Sequence, residues 1–148
     1  MHGDMMKAYL AHSVHKRERG KEIQKKLESM GIEVYNPFYS HDRQDILDLD
    51  KGIVQPWNIV DEDKSRLIVD LDLDGLRKCD FLICVYPDGV TVGIPCEMMF
   101  GWMLHLKIVA LVPHNLRGHP WIVAMCEKIF TDLNDLYNYL EEYNSKTR

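Results

Sequence analysis

The sequence predicts an α/β domain: a single doubly wound, flavodoxin- or Rossmann-like sheet, mostly parallel and flanked by helices. Three observations predict it. Phe81-Leu82-Ile83-Cys84-Val85-Tyr86 and Lys107-Ile108-Val109-Ala110-Leu111-Val112 are short apolar runs closed by Pro87-Asp88-Gly89 and by Pro113, as expected of strands buried on both faces. Between them, Pro95 to Leu104 is too long and too Met-rich for a strand, and it opens with Pro, a favoured first helical residue. Parallel strands need such a crossover. An earlier strand–helix–strand alternation precedes this unit, and repeated alternation of that kind builds a doubly wound sheet.

Taken in order, Met6–Ala11 reads as the first strand, followed by a polar turn at His12-Ser13-Val14-His15. Ile23, Leu27 and Met30 recur at helical spacing over 16–30, and Gly31 stops that helix as a glycine just past a C-terminus does. Ile32-Glu33-Val34-Tyr35 is the second strand. Within 38–60, Tyr39-Ser40-His41-Asp42 caps a short helix through Ile46, Leu47 and Leu49, and Gln55-Pro56-Trp57-Asn58 is loop. An excursion of that length in a compact domain is often functional.

Asp61-Glu62-Asp63 and Arg77-Lys78 bracket a helix over 63–78 with charges suited to its two ends. Val69 to Asp74 alternates with period two, yet Leu67, Ile68, Leu71 and Leu76 form one helical stripe and decide for helix. A short helix over 121–126 and a last strand Lys128-Ile129-Phe130 follow. Asp132 then caps a final helix presenting Leu133, Leu136, Tyr137, Leu140 and Tyr143, and the tail from Asn144 should fray.

The 148 residues form one domain, 1–148, with 18 basic and 23 acidic residues, net charge −5 and pI about 5.8. That balance argues against a basic duplex-binding face and so against a nucleic acid polymer as partner. No apolar run approaches the ~20 residues of a membrane span. The polar start lacks a signal peptide, and a cytoplasmic location is expected. Cys79, Cys84, Cys96 and Cys126 form no zinc spacing; three lie in apolar surroundings, so free buried thiols are expected. His12, His15, His114 and His119 fall in loops without metal-ligand spacing. The run Asp70-x-Asp72-x-Asp74-Gly75 resembles the start of a calcium loop, but its last ligand position is Phe81. No metal and no cofactor are expected.

In open α/β sheets the ligand crevice lies beyond the carboxyl ends of the strands. Loop 87–96 lies there, with Glu97 on the rim of the following helix. Glu97 is a candidate nucleophile or base, kept ionised by the positive helix start; its ordinary reading is an acid that suits a helix N-terminus. Asp72 points into the crevice or is one of several solvated acids. Tyr9 is a core residue whose hydroxyl reaches a partner. Ser13 cradles an anion at the first helix, or serves as a cap. Lys16, Arg17 and Arg19 read as a solvated face, and Met98-Met99-Trp102-Met103 as core or subunit interface.

Several blocks in order resemble the nucleoside 2-deoxyribosyltransferase superfamily, which includes 2′-deoxynucleoside 5′-phosphate N-hydrolases. Tyr9-Leu10-Ala11 is similar to its first-strand motif, Asp72 in Asp70-Leu71-Asp72-Leu73 to its helix-borne aspartate, and Gly93-Ile94-Pro95-Cys96-Glu97 to its Gly-Thr-x-x-Glu segment. The resemblance implies cleavage of a nucleoside N-glycosidic bond, with Glu97 as nucleophile forming a glycosyl ester. It implies that Asp72 meets the departing base and that Tyr9 orients Glu97. Ser13 matches a serine that touches a 5′-phosphate in the nucleotide hydrolases, His12 stands where many relatives have Gly, and Asp88 would contact the base. Together with Gly93 these are the substrate-binding candidates. The resemblance further implies a nucleoside or nucleotide partner and a homodimer or higher homo-oligomer. Transfer of a 2-deoxyribosyl group to an acceptor base is placed slightly ahead of hydrolysis of a nucleoside 5′-monophosphate. Two rivals are an NAD glycohydrolase of the TIR type and a non-catalytic, nucleotide-binding flavodoxin-like module. The latter is disfavoured because Ala11-His12-Ser13 is neither an acidic pair nor a phosphate loop.

Overall fold

The computed structural model describes residues 6–41, 43–52 and 61–147. Five strands, β1 (Lys7–His12), β2 (Glu33–Tyr35), β3 (Phe81–Val85), β4 (Lys107–Leu111) and β5 (Lys128–Phe130), form one sheet in the order β2-β1-β3-β4-β5. Every pairing is parallel. The chain winds from β1 outward to β2, returns past β1 to β3, and continues the other way. The switch between β1 and β3 opens a crevice at the strands' carboxyl ends.

Six helices connect and cover the sheet among the described residues: α1 (Arg17–Ser29), α2 (Gln44–Asp50), α3 (Glu62–Arg77), α4 (Gly93–Met103), α5 (Pro120–Met125) and α6 (Leu133–Thr147). Side chains alternate across a strand, and the core divides accordingly. Ala8, Leu10, Phe81, Ile83, Val109 and Leu111 face one side with Ile23 and Leu27 of α1 and Leu136 and Leu140 of α6. Tyr9, Ala11, Leu82, Cys84, Ile108 and Ala110 face the other with Leu76, Ile94, Met98 and Ile122 from α3, α4 and α5. Fully burying each large aliphatic side chain contributes roughly 1.5–3 kcal/mol. A third, smaller cluster of Val14, Phe38 and Ile46 seats α2 away from both.

Sequence signals account for the helix ends. Asp61 caps α3 by accepting from the Lys64 amide at 2.9 Å, and Asp132 accepts from the amides of Asn134 and Asp135. Gly31 adopts φ 86° past the end of α1, a conformation that favours glycine.

Four expectations are corrected. α4 begins at Gly93 rather than Pro95, because Ile94 is buried and draws the first turn inward; Pro95 is its third residue. α2 is preceded by Arg43, which makes no side-chain cap bond; Asp42 and the loop 55–58 lie outside the described residues. Asn144 does not fray: it is buried within α6 and donates to the Met30 carbonyl at 2.9 Å. Cys79 and Cys84 are buried free thiols, but Cys96 is exposed and Cys126 half-buried. No helix among the described residues is long and apolar enough to cross a membrane.

Candidate active site

Tyr9 is the third residue of β1 and faces the α3–α4 layer. Its hydroxyl donates to Oε2 of Glu97, the fifth residue of α4. Oε1 of Glu97 has no hydrogen-bond partner among the described residues; a Cβ added at Gly93 would stand 3.6 Å from it. Glu97 is therefore half-buried between helix and sheet, one oxygen held by Tyr9 and the other near the first residue of α4.

Burial dominates the electrostatics of this carboxyl and pushes it up to about 8. The Tyr9 hydrogen bond pulls the other way, the charge of Asp72 adds to the rise, and Arg43 opposes it. The expectation that the helix start holds Glu97 ionised is thus overturned, since removal from water outweighs a helix dipole acting from beyond the first turn. The same burial, with Glu97 and Asp72 nearby, drives the Tyr9 hydroxyl well above its ordinary value, so it remains a donor.

Asp72 projects from α3 towards this pair. Its carboxyl rises to about 6, first through burial, with Arg43 lowering it and Asp45 raising it. Oδ1 is buried and accepts no hydrogen bond from the described residues. The Nη1 of Arg43 lies 3.9 Å away. Near neutral pH these shifts leave Glu97 the more readily protonated of the two carboxyls.

Arg43 went unnoticed in the sequence, although it is the one Lys or Arg among the four aspartates of 42–50. Its side chain is 3% exposed. It donates to Asp45 through Nε and Nη2 and to the Pro37 carbonyl through Nη1, and its guanidinium lies over the Phe38 ring. Tyr35 and His41 were missed as well. Tyr35 stacks on Tyr9 and donates to the Leu71 carbonyl at 3.3 Å, while His41 meets Tyr35 edge-on.

The remaining candidates are dispersed. Ser13 caps the 3₁₀ turn Val14–Lys16 by accepting from the His15 amide at 3.2 Å, one turn ahead of α1. His12 is not in a loop but ends β1, buried, with Nε2 2.9 Å from Asn36 Oδ1. That Asn36 oxygen already accepts from the Phe38 amide, so His12 is the donor, and burial lowers its pKa to about 4. His12 lines a small cleft with Lys16, Arg19, Tyr86 and Pro87 at the carboxyl ends of β1 and β3. Asp88 is exposed in the β3–α4 loop without a hydrogen bond among the described residues; the structure does not bring it to the Tyr9–Glu97 pair. Of the methionine cluster, Met98 is core, whereas Trp102 and Met103 are exposed. No group of three or more metal-ligating side chains occurs among the described residues.

No family model and no curated protein matches the sequence. Solved structures do match in fold. A 2-deoxyribosyltransferase from Bacillus psychrosaccharolyticus superposes with a TM-score of 0.68 at 17% identity, over 90% of this chain and 91% of that one. The CMP N-glycosidase BcmB of Clostridium botulinum gives 0.55 at 20% identity, over 93% and 99%. A conserved protein from Enterococcus faecalis V583 gives 0.65 at 13%, over 95% and 99%. The chain therefore has the architecture of the nucleoside 2-deoxyribosyltransferase-like structures.

Proposed function

We propose that this protein cleaves the N-glycosidic bond of a 2′-deoxynucleoside or its nucleotide through a covalent ester on Glu97, passing the deoxyribosyl group to an acceptor base. The observation that carries the reading is the Tyr9–Glu97 hydrogen bond, which fixes one carboxylate oxygen and leaves the other uncommitted, with Asp72 set beside the pair. The activities named for the 2-deoxyribosyltransferase and the CMP N-glycosidase of the same fold support it.

The reactive arrangement reverses that resting order: Asp72 carries the proton and Glu97 is ionised. Oε1 attacks C1′, the C1′–N bond breaks, and its electron pair leaves with the base as Asp72 delivers the proton. The incoming base then attacks C1′ from the vacated side, surrenders a proton to Asp72 and releases Glu97, giving net retention after two inversions. Tyr9 holds Glu97 in register throughout. Its hydrogen bond favours the charged form against the cost of burial.

A second reading, hydrolysis of a nucleoside 5′-monophosphate with water as acceptor, is favoured by Lys16 and Arg19 in the cleft beside His12. Two cations at the mouth of the sheet suit a phosphate. The test is a panel of nucleosides, 5′-monophosphates and NAD, each with and without a free acceptor base, analysed by chromatography for released base, new nucleoside and nicotinamide. Base release that disappears in Glu97→Ala is expected; a Glu97→Ala protein of undiminished activity would remove Glu97 from the chemistry. A homodimer or higher oligomer is also proposed, checked by sedimentation. The exposed Trp102, Met103 and Leu104 at the end of α4 offer an apolar surface for it.

A further inference from the structure

Two carboxylates compete for one guanidinium beside the site. Arg43 turns Nε and Nη2 onto the two oxygens of Asp45 at 3.2 and 2.7 Å, and Nη1 onto the Pro37 carbonyl at 3.1 Å. Nη1 stops 3.9 Å from Asp72, beyond hydrogen-bond reach, and the facing Oδ1 is buried without a donor among the described residues. A carboxylate oxygen left so is costly, and a forked arginine would be its strongest partner. Asp45 nevertheless holds the fork, because it stands two residues along the chain in the first turn of α2.

We propose that Asp45 is a positioning residue: by gripping Arg43 it holds the guanidinium short of Asp72, leaving Asp72 able to carry the proton that goes to the departing base. This rests on the reading of the site given above. A direct Arg43–Asp72 bond would fix Asp72 as a carboxylate, since an opposite charge in contact lowers a carboxyl by ~1–3 pH units. Held at 3.9 Å, Arg43 still steadies the carboxylate that forms once the proton has left. The other groups that bear on Asp72 are Tyr9 from β1 and Glu97 from α4. His41, two residues before Arg43, is lowered first by burial and then by the charges of Arg43 and Lys78.

The test is a carbon-13 NMR titration of the Asp72 carboxyl in the full chain, its signal assigned by its loss in Asp72→Asn. Asp45→Ala releases Arg43 to Asp72, and the midpoint should fall by about one unit or more. Asp45→Asn removes the same charge but keeps one acceptor for the fork, and should produce a clearly smaller fall. Adding Arg43→Met to Asp45→Ala should return the midpoint to the wild-type position or above. Equal shifts in the Ala and Asn variants would mean that charge alone acts, and would overturn the positioning role, as would no shift at all. Asp45→Ser replaces Asp45→Ala if the latter is unfolded at the temperature of titration. The titration needs no turnover. Its failure would leave the proposed chemistry standing, and failure of Glu97→Ala to abolish base release would refute the chemistry without touching this result.

Discussion

Tyr35 stacks on Tyr9 with ring centroids 5.3 Å apart and planes 19° from parallel, and the two are direct lateral partners in the β1–β2 register. Their side chains therefore emerge side by side on one face of a parallel sheet, at close to the strand spacing. Tyr9 holds Glu97 and Tyr35 holds the Leu71 carbonyl of α3. Two phenols thus tie the carboxylate on α4 to the helix that bears Asp72.

Gly75 is what lets α3 come this close, since a Cβ there would stand only 2.3 Å from Cε1 of Tyr35. Gly75→Ala gains about 1 kcal/mol of helix propensity but overpacks the contact, typically at ~1–3 kcal/mol. The expected net result is a loss of about 1 kcal/mol, seen in urea denaturation, with a fall in base release as the tyrosine stack shifts. Unchanged stability and turnover would show that Tyr35 yields without consequence.

Tyr9→Phe deletes the donor to Glu97. A hydrogen bond to a charged group contributes ~1.5–3 kcal/mol, so kcat should fall about 10- to 100-fold near neutrality. Because that bond lowers the Glu97 pKa, its loss should also move the rise of activity to higher pH. A pH–rate profile that drops uniformly without moving would argue for a packing role alone.

Stability should depend on pH through the same carboxyl. Glu97 rises from an ordinary 4.5 to about 8 in the folded protein, so the native state binds more protons across that interval and stability falls as pH climbs through it. Asp72 acts in the same sense between 3.8 and about 6. His12, lowered from 6.5 to about 4, acts oppositely, and its share is lost as pH drops through that range. Glu97→Gln should be more stable than the wild type at pH 8, by on the order of a few kcal/mol, and nearly equal to it at pH 4.5. Urea denaturation at both pH values decides; a constant difference would contradict burial as the cause.

Thiol chemistry should separate the cysteines. Burial raises Cys79 and Cys126 to about 12 and Cys84 well above its ordinary value, whereas Cys96 is exposed on α4. A thiol reagent should label Cys96 first in the native protein, and Cys84 only on unfolding. Mass spectrometry after short exposure identifies the site, and early labelling of Cys84 would show that α4 lifts from the sheet.

The sheet was legible because β1, β3 and β4 are continuous apolar runs whose boundaries coincide with turn residues, and Tyr9 and Glu97 could be paired through the blocks that carry the resemblance. What escaped depends on contacts distant in sequence. Asn144 looks like a polar tail residue until α6 lays it against Met30, 114 positions away. Arg43 looks like one charge in a polar excursion until the fold swings that excursion over Asp72. The ionisation of Glu97 was misjudged for a related reason: helix polarity can be read locally, but loss of water around a side chain cannot.

The seating of α2 on Val14, Phe38 and Ile46 has a consequence for durability. Tyr9 and Glu97 stand on a sheet and helix locked into the main interior, and they persist until the whole domain melts. The cation facing Asp72 hangs from a small patch of Val14, Phe38 and Ile46 with Tyr39 and Leu49 beside them. Amides of α2 should exchange with solvent far sooner than those of β1 or β3, so the protein can withdraw and restore the guanidinium while Tyr9, Glu97 and Asp72 stay in place.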